Sequence, residues 1–378
     1  MPQASTLRTW LRRLVPVVLL CPSLVHADRG NGVSAGLILS QDTSARSASL
    51  AGSIEALGND VSAIAYNPAS LPSLRSNHAV VAYERGLVDD SFSQVQYGHP
   101  LPDAGIGTSL SIYQGGQMDF IRGSTHKTVM SQRDVAATIG YAHNVPPGFV
   151  SKIEYASVGV SVKYLSSQLV ETEQASTMAL DFGAVAAINR RFRIAAAYQN
   201  LGASLKYGNE KSEIPETART GFAYLLVPRG LPTTVVVDFP WLMNEARVNP
   251  SAGVEIQTGP VAFRAGYRTG VDLGGFTVGA GLSLNRFSMD YAFGLINNLN
   301  STHRVSLSFR FGSYTETYFS VVPSPAIVDV PPPAPPLPKP AEPVPVFQGV
   351  GRQDCADEKG DSSVVFYGKG RAKCGELK

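Results

Sequence analysis

Between residues 77 and 312 apolar and polar or small residues alternate with a period of two. In "HRVSLSFRF", Val305, Leu307, Phe309 and Phe311 share one face, and Arg304, Ser306, Ser308 and Arg310 share the other. "VGVSVKY" sets Val158, Val160, Val162 and Tyr164 against Gly159, Ser161 and Lys163. "TVGAGLSL" and "VAFRAGYR" repeat the arrangement, the latter with Arg264, Gly266 and Arg268 opposite Val261, Phe263, Ala265 and Tyr267. Successive side chains of an extended strand point to opposite faces, so this pattern predicts strands with one continuous apolar face.

Fourteen such segments are expected. Seven centre near Val81, Val95, Leu110, Ala137, Val160, Leu180 and Ala196, and seven near Phe222, Val236, Val254, Phe263, Val278, Met289 and Leu307. Their connections alternate in character. Those after the even strands read "PLPDAG", "VPPG", "NRR", "VPRGLP", "TGP" and "NR". Those after the odd strands are mostly longer and more polar, such as "QMDFIRGSTHKTVMSQ", "SSQLVETEQ" and "GASLKYGNEKSEIPE". An even number of strands with tight turns on one side and longer loops on the other is the pattern of an outer-membrane barrel. It places both ends of the chain on the periplasmic side. Aromatic residues near strand ends (Tyr83, Tyr97, Tyr141, Tyr164, Tyr198, Tyr267, Tyr291, Phe311) fit an interfacial girdle. A soluble β-sandwich would need polar outward faces, whereas here the faces opposite the apolar ones mix small and charged residues.

The ends of the chain and its composition narrow the class further. Arg8, Arg12 and Arg13 precede an apolar run over residues 14–25, and Val25-His26-Ala27 supplies small residues at −3 and −1, which reads as a signal peptide over residues 1–27. Leu20 stands before Cys21 where a lipobox needs a small residue, which argues against lipidation. No later apolar run reaches the roughly 18 residues of a membrane helix. The formal net charge is +2 and no basic stripe appears, so nothing supports nucleic-acid binding. Charged residues make up 16%, below the roughly 25% of soluble domains, and there are 36 glycines. Residues 28–76 are dominated by Ser, Ala and Gly, residues 77–312 form the barrel, and residues 313–346 are a proline-rich spacer. Residues 347–378 read as a small periplasmic element.

Several stretches together resemble the FadL superfamily of outer-membrane barrels, and within it the PorV/PorQ-like branch. They are "AGSIEALGNDVSAIAYNPASL", "AAAYQNLGASLKY…IPETARTGFAYLL", "SAGVEIQTGPVAFRAGYR" and "MDYAFGLINNLNSTHRVSLSFRFG", in that order over roughly residues 33–312. The resemblance implies an all-β fold: a fourteen-stranded antiparallel transmembrane β-barrel in a bacterial outer membrane. It also implies a short helical N-terminal plug, or hatch, carrying an Asn67-Pro68-Ala69 motif inside the barrel. The residues themselves allow Asp60 to cap a short helix through Tyr66, and Asn67 to cap a further turn with Pro68 at its first position. The same Asn-Pro step also suits a helix ending on a surface. If residues 44–74 lie inside, Leu50, Ile54, Leu57, Ile64 and Tyr66 meet small inward residues of the strands. The Asn-rich loop before Ser301 and the proline-rich tail depart from the family pattern.

The chemistry-bearing residues point away from catalysis. The six histidines lack metal-ligand spacing, "GGFTVGAGLS" is strand glycine and not a phosphate loop, and neither cofactor nor metal is called for. Glu255, Arg264, Arg268, Asp290, Arg304 and Arg310 fall on the inward faces of late strands. They read either as a polar gate or as a structural ion-pair network filling a narrow lumen. Cys355 and Cys374 are the cysteines left after signal removal, and an oxidising periplasm would pair them. Closing a loop of about twenty residues contributes roughly 3 kcal/mol.

Three functions fit: a channel for hydrophobic small molecules, an accessory of protein secretion, or a structural protein. The expected partners are outer-membrane lipid together with a hydrophobic small molecule or a secretion-machinery protein. The tail is a candidate contact for the cell wall or a periplasmic protein.

Overall fold

The computed structural model describes residues 34–312 except 87–88, 123–124, 147–152, 171, 228–229, 271–274 and 296–300. The expected signal peptide, the proline-rich tail and the Cys355–Cys374 pair lie outside the described residues.

In chain order the strands are β1 (Asn77–Arg85), β2 (Ser91–Leu101), β3 (Ala104–Gln114), β4 (Gln117–Arg122), β5 (Thr125–Met130) and β6 (Gln132–Asn144). Then come β7 (Tyr155–Leu169), β8 (Glu173–Asn189), β9 (Phe192–Gly202), β10 (Leu205–Tyr207), β11 (Glu210–Ser212) and β12 (Thr217–Leu226). The last are β13 (Thr233–Leu242), β14 (Arg247–Val248), β15 (Ser251–Thr258), β16 (Val261–Arg268), β17 (Phe276–Leu284), β18 (Phe287–Gly294) and β19 (Thr302–Phe311). Fourteen of them form a closed antiparallel ring in the order β1-β2-β3-β6-β7-β8-β9-β12-β13-β15-β16-β17-β18-β19. Pairing of β19 with β1, with Leu307 opposite Val81, returns the last strand to the first. Each of the fourteen segments expected from the alternation lies in one of these strands.

Closure leaves the ring itself without an unpaired edge, which a membrane demands because lipid offers backbone groups no hydrogen bonds. The faces are inverted relative to a soluble protein. Val81, Ile139, Phe263 and Leu307 point outward with 53–65% of their surface exposed, while Ser161, Asp181, Asp238 and Arg304 point inward and are buried. An apolar exterior of this extent is matched by hydrocarbon.

The two ends of the ring differ. At one end β2–β3, β8–β9, β15–β16 and β17–β18 are joined by two-residue links. Asp103, Gly259 and Asn285 in these links take the left-handed conformation, with φ of 55°, 56° and 52°, the geometry that tight hairpins require. We call this the tight-turn end and the opposite one the long-loop end. The "VPPG" link, expected to be tight, is longer: β6 ends at Asn144, ahead of Pro146, which cannot donate to the ladder, and β7 begins at Tyr155. At the long-loop end two expected loops carry hairpins, β4–β5 and β10–β11. "SSQLVETEQ" is mostly strand, with Leu169 still paired to Glu173. Above an apolar belt both faces of a strand are wetted, so its polar composition mimics a loop.

The N-terminal segment occupies the interior. It contains 3-10 turns at Leu37–Ser40, Val61–Ala65 and Pro68–Ser73 and the five-residue helix α1 (Ala45–Ser49), whose Ser44 and Ser47 form a capping box. Pieces this short do not hold helical structure alone in water; here the walls hold them. Leu50, Leu57, Ile64, Leu71 and Leu74 are no more than 1% exposed. Glycines on the strands make room. A Cβ on Gly159 of β7 would stand 2.6 Å from the Ala69 nitrogen, and one on Gly266 of β16 would stand 2.5 Å from the Leu50 carbonyl carbon. The segment begins beside Glu213 at the long-loop end, where the Ala35 amide donates to the Glu213 carbonyl at 2.7 Å. The ring's own ends, Asn77 and Phe311, pair at the tight-turn end. Placement of both termini at the tight-turn side therefore describes the ends of the ring but not Ser34.

Replacing Gly159 or Gly266 by valine should leave the ring intact and dislodge the segment, at a cost of about 1–3 kcal/mol by overpacking. Protease cleavage within residues 44–74, absent in the parent and present in the variants, is the measurement. Resistance equal to the parent's would show that the wall yields instead.

Candidate functional site: the interface between the N-terminal segment and the barrel wall

Asn67 and Asp60 each do two jobs. The Asp60 carboxylate accepts from the Ser62 amide at 2.9 Å, capping Val61–Ala65, and its other oxygen receives Arg46 at 3.0 Å. Asn67 Oδ1 accepts from the Ala69 amide at 2.9 Å, capping Pro68–Ser73 with Pro68 at the first position. Its amide nitrogen lies 3.0 Å from Glu55 Oε1, 3.1 Å from the Ala184 carbonyl and 3.2 Å from the Ala196 carbonyl. Ala184 and Ala196 face each other across β8 and β9, so Asn67 ties the segment to the wall as well as closing its own turn. The Ala69 carbonyl accepts from Ser157 of β7 at 2.6 Å.

The six charged residues expected in the lumen all point inward, but they form separate groups. Glu255 receives Arg264 at 2.6 Å, and Arg264 also reaches Asp290 at 2.6 Å. Arg46 of α1 joins this chain, 2.9 Å from Glu255, and links it to Asp60. Arg268 pairs instead with Asp42 at 3.1 Å and donates to the Ala51 carbonyl at 2.7 Å. Arg304 pairs with Glu84 and lies over the Phe92 ring. Arg310 donates to the Asn59 carbonyl at 3.3 Å. Sequence reasoning missed Arg46, Asp42 and Glu84. Arg46 had one available signal: it is the one charge in "TSARSASLAGS", a stretch otherwise small enough to be enclosed. A second buried pair, Lys163 and Asp181 at 2.9 Å, sits where β8 and β9 shift register.

A carboxylate pair closes the opposite side. Glu55, wholly buried, donates its backbone amide to Asp238 Oδ2 at 3.0 Å. Burial, with the Asp238 carboxylate beside it, holds the Glu55 carboxyl well above the ordinary range, against the pull of Arg219 and the Asn67 hydrogen bond.

Three cavities adjoin the segment. One of about 50 Å³ near the tight-turn end is lined by Arg46, Asp60, His78, Arg310 and serines of β17–β19. Another of about 250 Å³ near the long-loop end is lined by Asp42, Arg268, Arg304, Phe293 and Leu295. The third, of about 600 Å³, opens between Tyr113, Met118, Glu84 and Asp90 and shares Gln41, Glu84 and Thr302 with the second. Among the described residues no group of three or more His, Cys, Asp or Glu is placed to hold a metal.

No family model matches the sequence, and no curated protein does. Solved structures do. A crystal structure of the Pseudomonas putida toluene transporter TodX superposes with a TM-score of 0.52 at 13% identity, covering 72% of this chain and 100% of that one. A TodX variant described as a monoaromatic hydrocarbon channel gives 0.52 at 13%, over 71% and 99%. A Pseudomonas aeruginosa FadL homologue gives 0.48 at 12%, over 71% and 98%. At such identities the likeness to TodX shows the fold alone: a closed fourteen-stranded barrel.

Two outcomes follow from this interface. Asn67→Ala should cost about 1 kcal/mol as a lost cap, and about 1–3 kcal/mol more from leaving the Ala184 and Ala196 carbonyls without this donor. Hydrogen exchange over residues 61–73 measures it, and unchanged protection would refute the tether. The second concerns pH. An unfolded Glu titrates near 4.5; since the folded Glu55 value is raised, the folded chain binds the extra proton. Its stabilising contribution is complete below that ordinary value and is lost as pH rises through the raised one. Exchange protection of residues 53–57 should therefore fall as solutions become more alkaline, and Glu55→Gln should flatten the profile. Identical profiles would remove Glu55 as the source.

Proposed function

We propose that this chain is an outer-membrane channel, not an enzyme, that admits hydrophobic small molecules, with residues 34–76 as its hatch. The observation that carries the proposal is the basin at the long-loop end. Two adjoining cavities of about 600 and 250 Å³ at the N-terminal segment set Tyr113, Met118, Phe293 and Leu295 among the charged Asp42, Glu84, Asp90, Arg268 and Arg304. Apolar solutes partition from water onto such apolar side chains. The barrel likeness to TodX, described as a toluene transporter, supports the same reading. In this reading the tight turns face the periplasm and the hairpins face outward. Residues 1–27 direct export, and residues 313–378 belong to the periplasmic side.

A second reading, an accessory barrel of protein secretion as the PorV/PorQ-like resemblance implies, draws on the closed interior. Leu50, Leu57, Ile64 and Leu71 leave little free space on the β3–β15 side.

The test is uptake of a radiolabelled monoaromatic hydrocarbon and of a labelled long-chain fatty acid by cells with and without the protein. Loss of uptake of either on deletion is expected. Unchanged uptake, with secreted proteins retained in the periplasm, would replace the first reading by the second. In planar bilayers, removal of residues 44–74 should raise ion conductance above the parent's; equal conductance would show that the segment is no hatch.

A further inference from the structure

The lumen is closed by different means on its two sides. Along β2–β15 the wall meets large apolar side chains of the segment: Leu71 against Gly105, Ile64 against Gly140, Leu50 against Gly253. Along β15–β19 it meets α1, whose sequence is Ala-Arg-Ser-Ala-Ser. Four of those five residues are among the smallest there are.

The two smaller cavities lie on this second side, at opposite ends of the same strands. The tight-turn cavity reaches Ser283 and Ser288 flanking the β17–β18 link, and the long-loop cavity reaches Thr277, Gly294 and Thr302 at the other ends of β17, β18 and β19. Ser44 and Arg46 line the first; Ala48 and Ala51 line the second. One and a half turns of helix are thus the wall shared by both. That wall is held by polar bonds: the Ala45 amide donates to Ser306 at 3.2 Å, Thr277 donates to the Ser49 carbonyl at 3.1 Å, and Arg46 grips Glu255 and Asp60. Its one bulky side chain is Arg46. The tight-turn cavity, at about 50 Å³, has room for a few waters at the roughly 10–15 Å³ each requires.

We propose that a narrow polar route for water and small cations follows β15–β19 through the barrel, closed at α1 by the Arg46 side chain. This is a separate path from the one for hydrophobic molecules, and it rests on the reading of residues 34–76 as a hatch. The charges at the constriction set its selectivity. Asp60, Glu255 and Asp290 face Arg46 and Arg264, with Arg310 and His78 at the tight-turn side. Counting His78 as neutral, three carboxylates balance three guanidinium groups. Without Arg46 one negative charge is left over, and carboxylate-lined constrictions favour cations.

The test uses the purified full chain in planar bilayers under a potassium chloride gradient, with assembly checked by heat-modifiable migration. Arg46→Ala should conduct severalfold more than the parent, with a reversal potential shifted towards that of potassium. Arg46→Lys, which keeps charge and most of the bulk, should stay near the parent. If Arg46→Ala alone fails to assemble because it orphans buried carboxylates, Arg46→Ala/Glu255→Gln removes both partners. It should still open the route, with a weaker cation preference. An assembled Arg46→Ala, or the double variant in its place, that conducts as the parent does overturns the proposal. If the variant lacking residues 44–74 conducts strongly in that same experiment, the hatch reading survives the loss; if it too conducts like the parent, both fall.

Discussion

A ring of fourteen strands is wider than its own inward side chains can fill. Eight strands are about the number at which they just suffice. Water cannot take up the remainder if the barrel is to stay closed, and the strands have no more chain to give. The excess volume is the constraint behind the rest of the interior. It explains why some forty residues ahead of β1 are folded inside, why about half of them are Ser, Ala or Gly, and why glycines recur where wall and segment approach. Gly159 and Gly279, on β7 and β17, face Ala69 and Ser49; their strands are seven places apart in a ring of fourteen. One short segment touches diametrically opposite walls.

The filling is not uniform, and the difference is chemical. On one side apolar groups meet glycine and alanine, interrupted by the buried Glu55–Asp238 and Lys163–Asp181 pairs. On the other, carboxylates and guanidinium groups meet across α1. A buried pair gains little over a hydrophobic replacement, yet breaking it by removing one partner is costly because a charge is left stranded. The ionic side is therefore specific in geometry and sensitive to single changes, while the apolar side tolerates changes that keep volume. Asn67 serves the side opposite α1, where it reaches both Glu55 and the carbonyls of β8 and β9.

The strands were legible because a lipid-facing wall enforces alternation over every crossing. The caps at Asp60 and Asn67 were legible because they are local, decided within three residues. What escaped was non-local. Arg264 and Glu255 lie nine residues apart and are paired across β15 and β16, so their meeting follows from a short hairpin. Arg46 and Glu255 are separated by 209 residues, and nothing short of the packed segment brings them together. The grouping of Arg268 with Asp42, and of Arg304 with Glu84, escaped for the same reason. The hairpins β4–β5 and β10–β11 lie in stretches of loop-like polar composition, β10 and β11 are three residues each, and the burial of Leu205 with Ile38 and Leu165 is non-local.

The two wall carbonyls that Asn67 reaches belong to neighbouring strands in the middle of the chain, and the other contacts of its segment run from β1 to β19. Residues that precede the strands in the chain therefore find their partners only after the last strand exists. The segment cannot template the barrel. Its apolar side chains, Leu50, Leu57, Ile64, Leu71 and Leu74, are buried within clusters that include residues of the wall. Docking of the segment then marks the completed ring, and a barrel missing any one of these strands would carry its own amino-terminal region loose.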